Sequence, residues 1–241
     1  MKKLLIIACL SFLAFSTTAF GKNDYSCDKH FIFFPGGPEG GPFGTIVYNG
    51  AVAAAEHTGC DVDYYWSQWN SEIMIKQFKE AVALQPDGIA IYGFPGDEAM
   101  RPIIKEAREM GIVITTMNTP LPDLEAEYKT EGFGYAGADL FAAGYNLGAK
   151  GVEVCGLSSG DKAFVWGLAS MPNRGERTKG AIAGVEEMGV EVVYQEIPDN
   201  VNSDASQGTP MYVATYSANP DIKMAITDHG GLTASLPTYM K

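Results

Sequence analysis

Positive charge is scarce in this 241-residue sequence: Lys and Arg total 17 against 29 Asp and Glu, a formal net charge of −12. Nucleic-acid binding needs clustered Lys and Arg to neutralise phosphates, so that class of partner is excluded. The three histidines, His30, His57 and His229, lie too far apart to form a metal cluster by spacing, and no CxxC pair is present. Neither a structural zinc nor another cofactor is expected. GxGxxG, Walker A and HExxH sequences are absent too, which removes the dinucleotide, P-loop and zincin readings. Past residue 15 no segment is apolar for the roughly 20 residues that a membrane-spanning helix needs.

The N-terminus is informative. Lys2 and Lys3 precede an apolar run from Leu4 to Phe15, and the small residues of 16–21 follow, with Ala19 three residues before a cut after Gly21. This is the pattern of a secretory signal peptide over residues 1–21. Cys9 lies inside the apolar run, not at its end, which argues against a lipoprotein anchor. Removing the two lysines leaves a mature charge of −14, and a soluble protein working outside the cytoplasm is expected.

Beyond residue 21 short apolar runs alternate with amphipathic stretches. Phe31–Phe34, Val62–Trp66, Gly88–Tyr92 and Ile112–Met117 read as strands, separated by helices over 45–58, 71–84 and 97–110. Continuous apolar strands with helices between them indicate βαβ units and a parallel sheet covered on both faces. Pro120 and Pro122 then interrupt the alternation. It resumes with strands at 133–136, 163–167, 191–196 and 222–227 and helices at 140–154, 175–188, 206–218 and 231–240. The fold class predicted is α/β, with two doubly wound lobes: 22–118, a hinge crossing at 119–128, and 129–241. The interruption does not suit an eight-stranded barrel.

Cys27 stands just before the first predicted strand and Cys60 just before the second. If these strands are parallel neighbours, both thiols lie at one sheet edge and a disulfide is geometrically possible; two free thiols are the alternative.

The sequence Gly156-Leu157-Ser158-Ser159-Gly160 matches the G-x-S-x-G nucleophile elbow, which would make the chain an exported serine hydrolase. That elbow needs a strand before the serine and a helix after it. Here the order is reversed, so a loop is the better reading and no catalytic residue is assigned.

In open α/β sheets ligands bind beyond the carboxyl ends of the strands. Those ends carry Phe43, Trp66, Asp97, Asn118, Asp139, Trp166, Arg177, Asn200–Asn202, Asp228 and His229. Rings suit the C–H faces of a polyhydroxylated ligand, and charged groups and amides suit its hydroxyls. Each has a structural alternative. Asp97 and Asp139 can cap helices, and Trp166 can pack within its lobe. Arg177 opposes the dipole at a helix start, which favours a ligand role.

Taken in order, several short segments resemble one family. They are Gly41-Pro42-Phe43, Pro86-Asp87-Gly88-Ile89, the run 113–119, Gly137-Ala138-Asp139, Arg174-Gly175-Glu176-Arg177, Asn219-Pro220-Asp221-Ile222 and Thr227-Asp228-His229. Together they resemble the periplasmic sugar-binding proteins of ABC importers, in the ribose-binding type I class. The resemblance implies a monomeric clamshell that closes on a sugar or polyol and delivers it to an ABC permease in the inner membrane. It assigns ring stacking to Phe43, the crossing contact to Asn118, hydroxyl recognition to Arg177, and ligand contact to the Asp228-His229 tip. The sequence departs from the family's usual pattern in the Gly-rich loop 36–41, at His229 and at Asn118. The resemblance also implies more chain after Asp228-His229 than the residues up to Lys241, so a C-terminally truncated second lobe is expected. A cytoplasmic repressor of the same fold would begin with a helix-turn-helix instead of a signal peptide.

Overall fold

A computed structural model describes residues 27–240; the expected signal peptide lies outside the described residues. Among the described residues, eight strands and nine α-helices follow one another in largely alternating order. The first five strands form one parallel sheet in the order β2-β1-β3-β4-β5. They are β1 (His30–Phe33), β2 (Asp61–Tyr64), β3 (Gly88–Ile91), β4 (Val113–Met117) and β5 (Gly134–Ala136). The other three, β6 (Lys162–Gly167), β7 (Glu191–Glu196) and β8 (Ile222–Thr227), form a second parallel sheet in the order β7-β6-β8. The chain is thus an α/β protein with two doubly wound lobes.

Helices α1 (Pro42–Thr58), α2 (Ser71–Ala83), α3 (Asp97–Glu109) and α4 (Pro122–Tyr128) belong with the first sheet. Its central strands are buried on both faces, which is why they read as unbroken apolar runs. Ile32, Ile89, Ile91 and Ile114 pack there with Met74 and Phe78 of α2 and with Met100 and Ile104 of α3. Asn70 caps α2 by accepting from the Ile73 amide at 3.0 Å. Cys27 and Cys60, brought together by the parallel β1–β2 pairing, form a disulfide.

The crossing between lobes is not at the proline pair. Pro122 opens α4 at a first-turn position, where its missing N–H costs nothing. The chain then returns to the first sheet, because β5 pairs with β4 from Thr115↔Gly134 to Met117↔Ala136. Residues 129–136 therefore go with the first lobe, and the chain changes sheet at 137–139, before α5 (Leu140–Cys155).

The second lobe places α5 against α6 (Glu176–Glu187) with unusual closeness. Gly144 and Gly148 on α5, and Gly180 and Gly184 on α6, face each other at four-residue spacing. A Cβ at any of them would overlap a carbonyl of the opposite helix, those of Arg177, Ala181, Phe141 and Tyr145 respectively. This contact fixes the start of α6. The helix expected over 206–218 is divided into α7 (Asp199–Ser203), a 3₁₀ turn (Ala205–Gly208) and α8 (Thr209–Ala218). Asp204 caps the turn at the Ser206 amide, and Pro210 lies in the first turn of α8. The last helix, α9 (Gly230–Tyr239), packs on β8 and α8 and also touches α1 of the first lobe.

Candidate functional site

The carboxyl ends of both sheets face one cleft. From the first lobe it receives Phe43 at the head of α1, Trp69 after β2, Tyr92 and Phe94 after β3, and Asn118 and Thr119 after β4. From the second it receives Leu168 and Met171 after β6, Arg174 and Arg177 around the start of α6, Asn202 in α7, and His229 after β8. The first lobe thus provides mainly rings, and the second provides the charge.

Local backbone geometry builds the aromatic wall. After β2 both Gln68 and Trp69 adopt left-handed φ angles of 57° and 55°. Their amides bond the Gly37 and Gly36 carbonyls, Trp69 at 2.9 Å. The indole lies directly over this glycine loop. A Cβ on Gly36 or Gly37 would meet the Trp69 ring at 2.5 and 2.7 Å, so only glycine fits there. The Trp69 ring meets Tyr92 edge-on at 5.5 Å and lies 6.1 Å from Phe43 and 6.2 Å from Phe94. The Tyr92 hydroxyl is buried and has no hydrogen-bond partner among the described residues. Burial pushes its phenol pKa up, so it stays a neutral donor and acceptor.

Asn118 also has a left-handed φ, 58°, where β4 ends. Its amide N–H bonds the Ala136 carbonyl at 3.0 Å, and its own carbonyl accepts from the Tyr135 hydroxyl at 3.0 Å. The backbone being so held, the side chain is left for the cleft. An asparagine tolerates this conformation better than most residues.

The charged floor is a three-residue knot. Asp228, 4 % exposed, accepts from Arg174 Nη1 at 2.8 Å and from Arg177 Nε and Thr178 Oγ1 at 2.5 Å each. Arg174 Nη2 bonds the Asp228 backbone carbonyl at 2.6 Å as well. Burial pushes the Asp228 carboxyl upward, but the Arg174 guanidinium, then Arg177 and Thr178, outweigh it and hold it below the usual carboxylate range. His229 accepts the Leu232 N–H at 3.3 Å through Nδ1 and so caps α9. Burial first, and the Arg174 charge second, lower its pKa to about 4, so the ring is neutral at physiological pH.

The structure brings Phe43, Asn118, Arg177 and His229 together in the cleft. The other four residues expected at the site lie elsewhere. Asp228 sits behind the two arginines as their anchor. Asp139 caps α5 by accepting from the Ala142 amide at 2.9 Å and is exposed. Trp166 is fully buried in the second lobe's core, among Phe164, Tyr212 and Tyr239. Asp97 caps a helix, though not its own: its Oδ1 accepts from the Asp123 and Leu124 amides at the start of α4. Trp66 packs against Tyr48 at a tilt, ring centroids 5.5 Å apart, and is not among the cleft's lining residues.

Trp69, Tyr92, Phe94 and Arg174 line the cleft without having been singled out from the sequence. A tryptophan beside a helix cap in the β2–α2 loop was the available signal for the first. Arg174 was visible only as part of the Arg174–Arg177 segment. The Ser158-Ser159 loop connects α5 to β6 at the opposite end of that strand. Six strand residues separate it from the cleft, about 20 Å. Ser158 there donates its amide to Asp161 at 2.8 Å in a turn.

No curated protein sequence matches the chain. Among solved structures, it is similar to GanP, a glucose-galactose binding protein from Geobacillus stearothermophilus, at 22% identity and TM-score 0.69, over 88% of this chain and 74% of that one. An ABC transporter solute-binding protein from Agrobacterium vitis, bound with α-D-tagatopyranose, is 20% identical with TM-score 0.70, over 87% and 72%. Another from Burkholderia graminis, in complex with D-arabinose, is 22% identical with TM-score 0.71, over 86% and 68%. At these identities the likeness is one of fold. The family assignment comes from the sequence itself, which matches the periplasmic binding protein domain over residues 32–236. Solute binding, and not catalysis, is the work of this family. The chain belongs to the periplasmic binding protein domain family.

Proposed function

We propose that this protein captures a sugar or related polyol between its two lobes and delivers it to an ABC permease in the inner membrane, acting as a monomer in the periplasm. The observation that carries this reading is the division of the cleft: rings come from the first lobe, and hydrogen-bonding groups from the second face them. Aromatic faces cover the C–H side of a sugar ring, while amides and guanidinium groups bond its hydroxyls. Sugar-bound relatives of the same fold support the ligand class. Residues 1–21 would direct export, and the disulfide suits an oxidising compartment.

In this reading the lobes are 22–136 and 140–241, and the hinge includes residues 137–139. A ligand touching both lobes binds the closed state better than the open one and shifts the population toward it. Phe43 and Trp69 would stack on the sugar. Asn118, Asn202 and Arg177 would bond its hydroxyls, and Asp228 would hold the arginines in place. A thermal-shift screen against hexoses, pentoses and inositols tests this. A ligand present at about 100 times its Kd raises stability by about 2.7 kcal/mol, a clear rise in Tm. Absence of a shift with every sugar and polyol would overturn the proposal.

A further inference from the structure

The charge around the cleft does not balance. Arg174 and Arg177 share one carboxylate, that of Asp228. Guanidinium groups stay protonated at any physiological pH, so the knot carries one net positive charge. Among the described residues no Asp or Glu lines the cleft. None lines the two hollows that continue it, one toward Gly137 and Leu140, the other toward Pro38 and Ser203. His229 is neutral. The residue before Asn118 is Met117, which packs against the first-lobe core and adds no charge.

Geometry directs the surplus charge toward the ligand space. Arg174 is 9 % exposed and spends both terminal nitrogens on Asp228. Arg177 gives only Nε to Asp228, and its terminal nitrogens have no hydrogen-bond partner among the described residues. Arg177 lines both the main cleft and its extension beneath Tyr92 and Asn118. The Tyr92 ring borders the same two spaces, with its hydroxyl buried behind it. A two-nitrogen donor fork turned to the cleft is a receptor for an acidic group. It stands out in a chain whose overall charge is −12.

We infer that the preferred ligand is an anionic sugar, a polyhydroxylated ring or chain carrying a carboxylate or phosphate, whose acidic group is bound by the terminal nitrogens of Arg177. This inference rests on the sugar-binding reading above and narrows it. The rings of Phe43 and Trp69 would hold the carbon skeleton, leaving the acidic group to face α6.

Calorimetric titration with matched ligands tests the inference. One arm uses galactose and glucose, a second galacturonate and gluconate, and a third glucose 6-phosphate. At least one acid should bind about tenfold or more tightly than its neutral parent, the worth of one charge-assisted hydrogen bond. That preference should fall with added salt. Preference for the carboxylates or for the phosphate identifies the acidic group. Asn118→Asp places a carboxylate of the same shape at the cleft, and should lower the affinity for the acid by a larger factor than that for its neutral parent. Circular dichroism of this variant checks that it folds. Tighter binding of a neutral sugar than of its acid would overturn the inference and leave sugar binding standing. Failure of all three arms would overturn both.

Discussion

One side-chain nitrogen of Asn173 donates to Asp97 Oδ2 and to the Pro120 carbonyl, each at 3.0 Å, and so ties the second lobe to the first. Asp97 meanwhile caps α4 with its other oxygen. The carboxylate that looked like a ligand contact is thus the socket of a latch. Asn173 has a left-handed φ of 54°, so glycine can replace it without backbone strain.

Asn173→Gly therefore removes the latch alone. Because these bonds join the lobes only when they are together, their loss should weaken ligand binding through the open–closed equilibrium. A net hydrogen bond of about 1 kcal/mol predicts a loss of roughly fivefold. Titration calorimetry against wild type would measure it. Asp97→Ala should weaken binding similarly and also lower Tm, because α4 then loses its cap.

Acidification should destabilise the protein in a definite window. His229 has a folded pKa of about 4 against 6.5 in an unstructured chain. Between those values the unfolded state takes up the proton and the folded state does not, so stability falls as pH drops from 6.5 toward 4. The loss should be on the order of 3 kcal/mol. Asp228, held below 3.8, contributes stability that is lost only at lower pH still. His229→Asn keeps a capping acceptor for α9 and should flatten Tm between pH 6.5 and 4.5; an unchanged slope would assign the dependence to another group.

Two Gly→Ala changes, one in the α5–α6 contact and one on the exposed face of α1, should act in opposite directions. At Gly180 the new methyl would run into the Phe141 carbonyl, and a loss of roughly 2 kcal/mol is expected from overpacking. Gly50, exposed within α1, has nothing within 4 Å of a Cβ. There alanine should add about 0.5–1 kcal/mol by lowering the entropy of the unfolded chain. Urea unfolding of the two variants gives both values. Displacement of α6 would also weaken ligand binding, because Arg177 rides on its first turn.

These relationships bear on what a sequence can reveal. The βα alternation was legible because strands such as Gly88–Ile91 are buried on both faces and leave continuous apolar runs. Sheet membership was not. Three residues, Gly134–Ala136, pair with β4 through backbone bonds that their side chains do not encode. The prolines that suggested a boundary only begin a short helix. At the cleft, Phe43 and Arg177 could be found because they start helices at strand ends. Trp69 escaped because two successive left-handed residues turn it inward, and nothing in Gln68-Trp69 announces that conformation. Trp166 sits at a strand end like the others, but it is fully buried in the core beside Phe164 and Tyr212, and periodicity fails where both sides of a strand are buried.

The most direct test of the account is calorimetric titration of three proteins with the sugar that stabilises wild type best. Phe43→Ala removes a ring from the first lobe, and Arg177→Gln removes the free donor fork from the second. If the ligand is held between the lobes, each variant should bind about tenfold or more weakly. Full affinity in either one would contradict a site shared by both lobes.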